Sequence, residues 1–147
     1  MEIHVFSRAE IEAGVLIRCA YAVISIRDPG KHRAKVKAQV GLREVLFLAF
    51  HDAEPSANFA LPPEIRPITP AQGNEICNFV RKHQQTVGAF AVHCEQGMSR
   101  SPAVAAAICE ALGLDGKRFW QRHAPNRYVY HMVANAFEGA AAKPCKT

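Results

Sequence analysis

Four short apolar runs alternate with stretches carrying helix signals, and this alternation restricts the fold more than any other feature of the chain. Residues 2–6 (Glu-Ile-His-Val-Phe), 21–26 (Tyr-Ala-Val-Ile-Ser-Ile), 44–50 (Glu-Val-Leu-Phe-Leu-Ala-Phe) and 89–93 (Ala-Phe-Ala-Val-His) are apolar and rich in β-branched or aromatic residues, the composition of strands. Ser7-Arg-Ala-Glu10 is a capping box and predicts a helix over 8–19. Thr69-Pro-Ala-Gln72 sets a cap, a first-turn proline and a box glutamine in register, which predicts a helix over 70–85. An Ala-rich stretch ending at Gly113 predicts a helix over 101–112, and two more follow over 116–123 and 126–140. Strands connected through helices pair in parallel, and near-continuous apolar strands are buried on both faces. The expected architecture is therefore α/β, a central four-stranded parallel sheet flanked by helices on both faces. Ligands of such sheets bind at the carboxyl ends of the strands.

The 147 residues suit a single domain, 1–147, with a fraying tail from about 140 to 147. A composition of 49% hydrophobic and 21% charged residues argues against disorder. The longest apolar runs, 45–50 and 103–109, fall far short of the roughly 20 residues of a membrane span. The first residues lack the basic flank and apolar stretch of a secretory signal. A cytoplasmic protein with no membrane partner is expected. The net charge of +5 suits an anionic partner such as a phosphoester, but is too small to require nucleic acid. Lys31, Arg33, Lys35 and Lys37 alternate in a polar stretch, either as a solvated loop or as a guide for a phosphorylated substrate. No aromatic residues interleave with them, which argues further against nucleic acid. Cys19, Cys77, Cys94, Cys109 and Cys145 are odd in number and form no CxxC pair. This argues against a disulfide framework and against a cysteine zinc cage. The histidines lack metal-ligand spacing, so neither metal nor cofactor is expected.

The sharpest chemical signal follows the fourth apolar run, in Val92-His93-Cys94-Glu95-Gln96-Gly97-Met98-Ser99-Arg100-Ser101-Pro102. A cysteine stands where a buried strand ends, an arginine comes six residues later, and a helix begins. A short loop with a glycine inside it can turn its backbone N–H groups inward as an anion nest. The helix adds its free N–H groups and the positive end of its dipole. Arg100 supplies a planar fork for two oxygens of a phosphate or sulfate-type anion. The same field favours the thiolate form of Cys94. One loop thus binds a dianion and aims a nucleophile at it.

His93, Cys94, Gly97, Arg100 and Ser101, with the apolar strand before them, resemble the phosphate-binding loop of the cysteine-dependent protein tyrosine phosphatase superfamily. The chain is much shorter than receptor-like tyrosine phosphatase domains and lacks their phosphotyrosine-recognition loop. It is more similar to compact dual-specificity, bacterial-type members. The resemblance implies that Cys94 attacks phosphorus and that Arg100 binds the phosphoryl oxygens. It implies that Ser101 hydrogen-bonds the sulfur and that His93 holds the loop. The N–H groups of Glu95, Gln96, Gly97, Met98, Ser99 and Arg100 would bind phosphate, with no side-chain role for Met98 or Ser99. The strand before Cys94 would be central, between the first and second strands.

A leaving oxygen needs a proton donor. The family takes it from a loop after the strand that precedes the long connecting helix, here His51-Asp52-Ala53-Glu54. Asp52 is the first choice and Glu54 the reserve; the Pro-rich stretch 51–68 forms a long loop around them. Asp28, in Arg27-Asp28-Pro29-Gly30, reads as a turn residue. Trp120, Tyr128 and Tyr130 read as helix-packing residues. The expected activity is metal-independent hydrolysis of a phosphorylated protein or small phosphoester, on phosphotyrosine if the pocket is deep and on phosphoserine or phosphothreonine as well if it is shallow. No residue between Cys94 and Arg100 is basic, which disfavours highly charged inositol lipids. The alternatives are a rhodanese-like sulfurtransferase, with no need of Asp52, and a phosphate-binding module without catalysis.

Overall fold

The computed structural model describes residues 1–142. Its elements are β1 (Glu2–Phe6), α1 (Arg8–Ala13), β2 (Tyr21–Arg27), β3 (Leu42–Ala49), α2 (Pro70–His83), β4 (Ala89–His93), α3 (Arg100–Ala111), α4 (Lys117–Arg122) and α5 (Arg127–Ala142). The four strands form one sheet in the order β1-β4-β2-β3, every pair parallel. Strand β4 thus lies between β1 and β2 and is buried along its whole length. Whatever follows His93 emerges at the centre of the carboxyl edge.

The two faces are covered unequally. Alternation along the strands sends Ile24, Ile26, Phe90 and Val92 to one side, where they meet Ile76 and Val80 of α2, Val104 and Ile108 of α3, and Val129 and Val133 of α5. Each fully buried Ile or Phe there contributes about 1.5–3 kcal/mol. The opposite side shows Tyr21, Val23, Ala89 and Ala91, covered by Ile11 of α1 with Val15 and Ala34. Both capping boxes form: Ser7 with Glu10 opens α1, and Thr69 with Gln72 opens α2.

Three expectations need correction. Helix α1 stops at Ala13 rather than near residue 19, because Gly14 takes a φ of +105° that ends the helical path. Strand β3 is an edge strand with Arg43 and Glu44 exposed, so burial on both faces describes β2 and β4 but not β3. Helix α5 continues through Ala142, so residues 140–142 are helical; residues 143–147, with Cys145, lie outside the described residues. No helix among the described residues is long and apolar enough to cross a membrane.

Candidate active site

The loop between β4 and α3 is a cradle of free amides. Its carbonyls are turned away and used: Glu95 C=O accepts from Arg8 N–H, Met98 C=O from Ala124 N–H and Ser99 C=O from Asn126 N–H, each at 3.1 Å. Among the described residues, no hydrogen bond uses the N–H groups of Glu95 to Arg100. Gly97 makes the turn with a φ of +72°, and a Cβ there would fall 2.9 Å from Phe6 and Ser7 backbone atoms. Only glycine meets both demands. Ser99 precedes α3 without capping it, so the first N–H groups of that helix stay available to an anion.

Cys94 lies 3% exposed on a cleft of about 510 Å³, with its Sγ 3.2 Å from Ser101 Oγ. His93 is fully buried and braces the strand end: Nδ1 lies 3.2 Å from Cys94 C=O and Nε2 lies 2.6 Å from Ser25 Oγ. A carbonyl can only accept, so Nδ1 carries the hydrogen and Ser25 O–H donates to Nε2. Burial pushes His93 below its ordinary pKa, against the pull of the Cys94 carbonyl.

Arg100 is 5% exposed and fixed by one nitrogen. Its Nη1 donates to Asp28 Oδ1 at 2.6 Å and to Phe50 C=O at 2.8 Å. Nε and Nη2 have no protein partner among the described residues, and Arg100 lines the cleft. Burial pushes the Asp28 carboxyl up, but the Arg100 hydrogen bond and charge, with Lys31 and His51 nearby, outweigh it and hold the carboxyl below its ordinary value.

Asp52 lines the same cleft. Its Oδ1 accepts from Ser99 Oγ and from Asn126 Nδ2, both at 2.8 Å, which leaves Oδ2 unengaged. Asn126, 2% exposed, also donates to Ala53 C=O at 3.1 Å and accepts from Val129 N–H at 3.0 Å, capping α5. The loop bearing Asp52, the β4–α3 loop and α5 therefore meet at one residue, Asn126. His51 N–H donates to Arg66 C=O at 2.7 Å and its Nδ1 accepts from Arg66 N–H at 2.9 Å, closing the Pro-rich loop at its base.

No protein-family model matches the chain, and no curated protein matches it. Solved structures do. Human DUSP28 superposes with a TM-score of 0.58 at 18% identity, over 97% of this chain and 95% of that one. The human tyrosine phosphatase-like serine/threonine/tyrosine-interacting protein gives 0.52 at 21% identity, over 84% and 80%. PTPMT1 in complex with PI(5)P gives 0.50 at 14% identity, over 84% and 80%. The chain has the cysteine-dependent tyrosine phosphatase fold.

Within this phosphatase fold, Cys94, Arg100 and Asp52 all reach one cleft, with Glu95, Gln96, Met98 and Ser99 along its wall. Glu54 does not: its Oε1 accepts from Arg127 N–H at 2.8 Å at the start of α5. Trp120 and Tyr130 pack edge to face, 5.1 Å apart, away from the cleft. Three side chains go beyond their sequence reading. Ser99, given no side-chain role, donates to Asp52. Asp28, read as a turn residue, also holds Arg100. Asn126, read only as the first residue of a helix, caps α5 and binds Asp52; the signal that could have found it is asparagine's preference for the cap position at a helix start. None of Cys19, Cys77 and Cys109 lines the cleft.

Proposed function

We propose that the protein hydrolyses phosphomonoesters through a cysteinyl-phosphate intermediate, acting on phosphotyrosine and also on phosphoserine or phosphothreonine. The observation that carries this reading is Cys94 Sγ beside Ser101 Oγ in a loop of unused N–H groups, with the anchored Arg100 in the same cleft. The phosphate dianion would sit on the amides of Glu95 to Arg100, with two oxygens on Nε and Nη2 of Arg100. The Cys94 thiolate attacks phosphorus; the S–P bond forms as the P–O bond to the alcohol breaks. Asp52 delivers a proton from Oδ2 to the departing oxygen. Water then attacks phosphorus while Asp52 takes back a proton. Phosphate leaves, and the returning thiolate accepts a hydrogen bond from Ser101. DUSP28 and the other structural neighbours support the fold side of this reading, and the cleft residues support the chemistry.

The test is hydrolysis of p-nitrophenyl phosphate in EDTA by wild type, Cys94→Ser and Asp52→Asn. The reading requires metal-free turnover that vanishes in Cys94→Ser and falls in Asp52→Asn. Turnover that survives Cys94→Ser overturns it. No turnover in the wild type, with phosphopeptide still bound, replaces it with a phosphate-binding role.

A further inference from the structure

The whole net charge of the chain sits in one stretch. Residues 31–43 hold Lys31, Arg33, Lys35, Lys37 and Arg43 and no acidic residue, so elsewhere thirteen basic residues balance thirteen acidic ones. The structure fixes how this stretch is presented. Residues 32–39 lie in neither helix nor strand, yet the backbone is pinned: Lys35 N–H donates to Glu12 Oε2 at 2.8 Å. Ala34 is buried with Ile11 and Val15, and Val36 packs beside it. The alternate positions, Arg33, Lys35 and Lys37, are therefore exposed. The Arg33 guanidinium lies 4.5 Å above the Phe47 ring. Among the described residues, no ion pair uses Arg33, Lys35 or Lys37. At its start, Lys31 lines the cleft, 3.6 Å from Asp28 and 3.9 Å from Glu95.

These positions make a fixed basic ridge that begins at the cleft and runs back toward the amino end of the sheet. From Lys31 to Lys37 it reaches at most about 20 Å, the span of six extended residues. We propose that the ridge docks an acidic segment of a phosphorylated protein, flanking the residue whose phosphoryl group enters the cleft; this rests on the phosphatase reading above. Unpaired cations along a path that leads to a cleft raise the local concentration of an anionic segment and speed its capture. A bilayer fits less well. The exposed apolar residues of this face, Leu16 and Val40 (86% and 98%), flank the start of β2 and β3, opposite the strand ends that carry Cys94. A membrane meeting them would lie away from the cleft.

Two phosphotyrosyl peptides with one core test this, one with Asp and Glu on both flanks and one with Ser. The acidic peptide should show a kcat/KM roughly fivefold higher at low ionic strength, and the preference should fade near about 0.5 M salt. In Lys35→Glu/Lys37→Glu the preference should vanish while p-nitrophenyl phosphate turnover stays unchanged. The milder Lys35→Gln/Lys37→Gln pair, with thermal melts of both, guards against a folding defect. Equal kcat/KM for the two peptides, or a preference that survives both double variants, overturns the proposal. So does charge-dependent binding to phosphatidylserine vesicles without peptide preference. If p-nitrophenyl phosphate is not turned over, the phosphatase reading fails. Fluorescence anisotropy of the two peptides on Cys94→Ser then judges the ridge alone, and equal affinity rejects it.

Discussion

Cys94, Ser101 and the amides between them are set by consecutive residues between the end of β4 and the first turn of α3, whereas the Arg100 guanidinium is held by Asp28 and Phe50, and Asp52 by Ser99 and Asn126, 47 and 74 residues further along the chain. The first arrangement is local. Strand, loop and helix dictate it, and Gly97 permits its turn. The second exists only once the Pro-rich loop, the phosphate-type loop and α5 have packed together. A local device should fail only when its own atoms are removed. A tertiary one should weaken by degrees as its supports are cut.

The largest effect should come from the local device. Cys94→Ser is expected to lower kcat on p-nitrophenyl phosphate by at least about a thousandfold, since the proposed mechanism passes the phosphoryl through the Cys94 sulfur. Asp52→Asn should cost about a hundredfold on phosphotyrosine and less on p-nitrophenyl phosphate, whose leaving group needs little proton assistance. Comparing the two substrates separates loss of the acid from loss of the fold.

Asp28→Asn is expected to cost about tenfold in kcat/KM, because Arg100 exchanges a charged acceptor for a neutral amide oxygen beside the Phe50 carbonyl and is held less firmly. This variant also has a pH signature. The folded Asp28 carboxyl lies below its ordinary value of 3.8. Its ionised form therefore adds stability that is present above the unfolded value and is lost as pH falls through the folded one. Denaturant midpoints of wild type and Asp28→Asn should converge on strong acidification.

Cutting the supports of Asp52 should have smaller effects on turnover. Asn126→Ala is expected to lower kcat several-fold and stability by about 1–3 kcal/mol, since Ala53 C=O and Val129 N–H lose a buried partner. Ser99→Ala should affect kcat only. The smallest effect concerns His93, whose folded pKa lies below its ordinary 6.5. Its neutral form adds stability that is complete above the unfolded value and is lost as pH falls from 6.5 through the folded value. Thermal midpoints should therefore decline below about pH 6.5, and His93→Gln should flatten that decline.

The same contrast explains what could be read from the residues alone. The spacing from His93 to Ser101 carried the strand, the turn and the helix start together, because each is dictated by neighbours a few residues away. The capping boxes at Ser7 and Thr69 marked helix starts for the same reason. Gly14 was visible but its positive φ was not, so α1 came out six residues too long. Asp28 reads as a turn residue and Asn126 as the first residue of a helix, and both descriptions are local. Their contacts with Arg100 and Asp52 cross 72 and 74 residues, and no periodicity reports a contact at that range.

The most direct measurement is rapid-quench mass spectrometry of the wild-type protein during turnover of p-nitrophenyl phosphate in EDTA. The account requires the mass of one phosphoryl group on the peptide bearing Cys94, accumulating further when Asp52→Asn slows its hydrolysis. Turnover with no phosphoryl on that peptide, or with the label on another side chain, contradicts it.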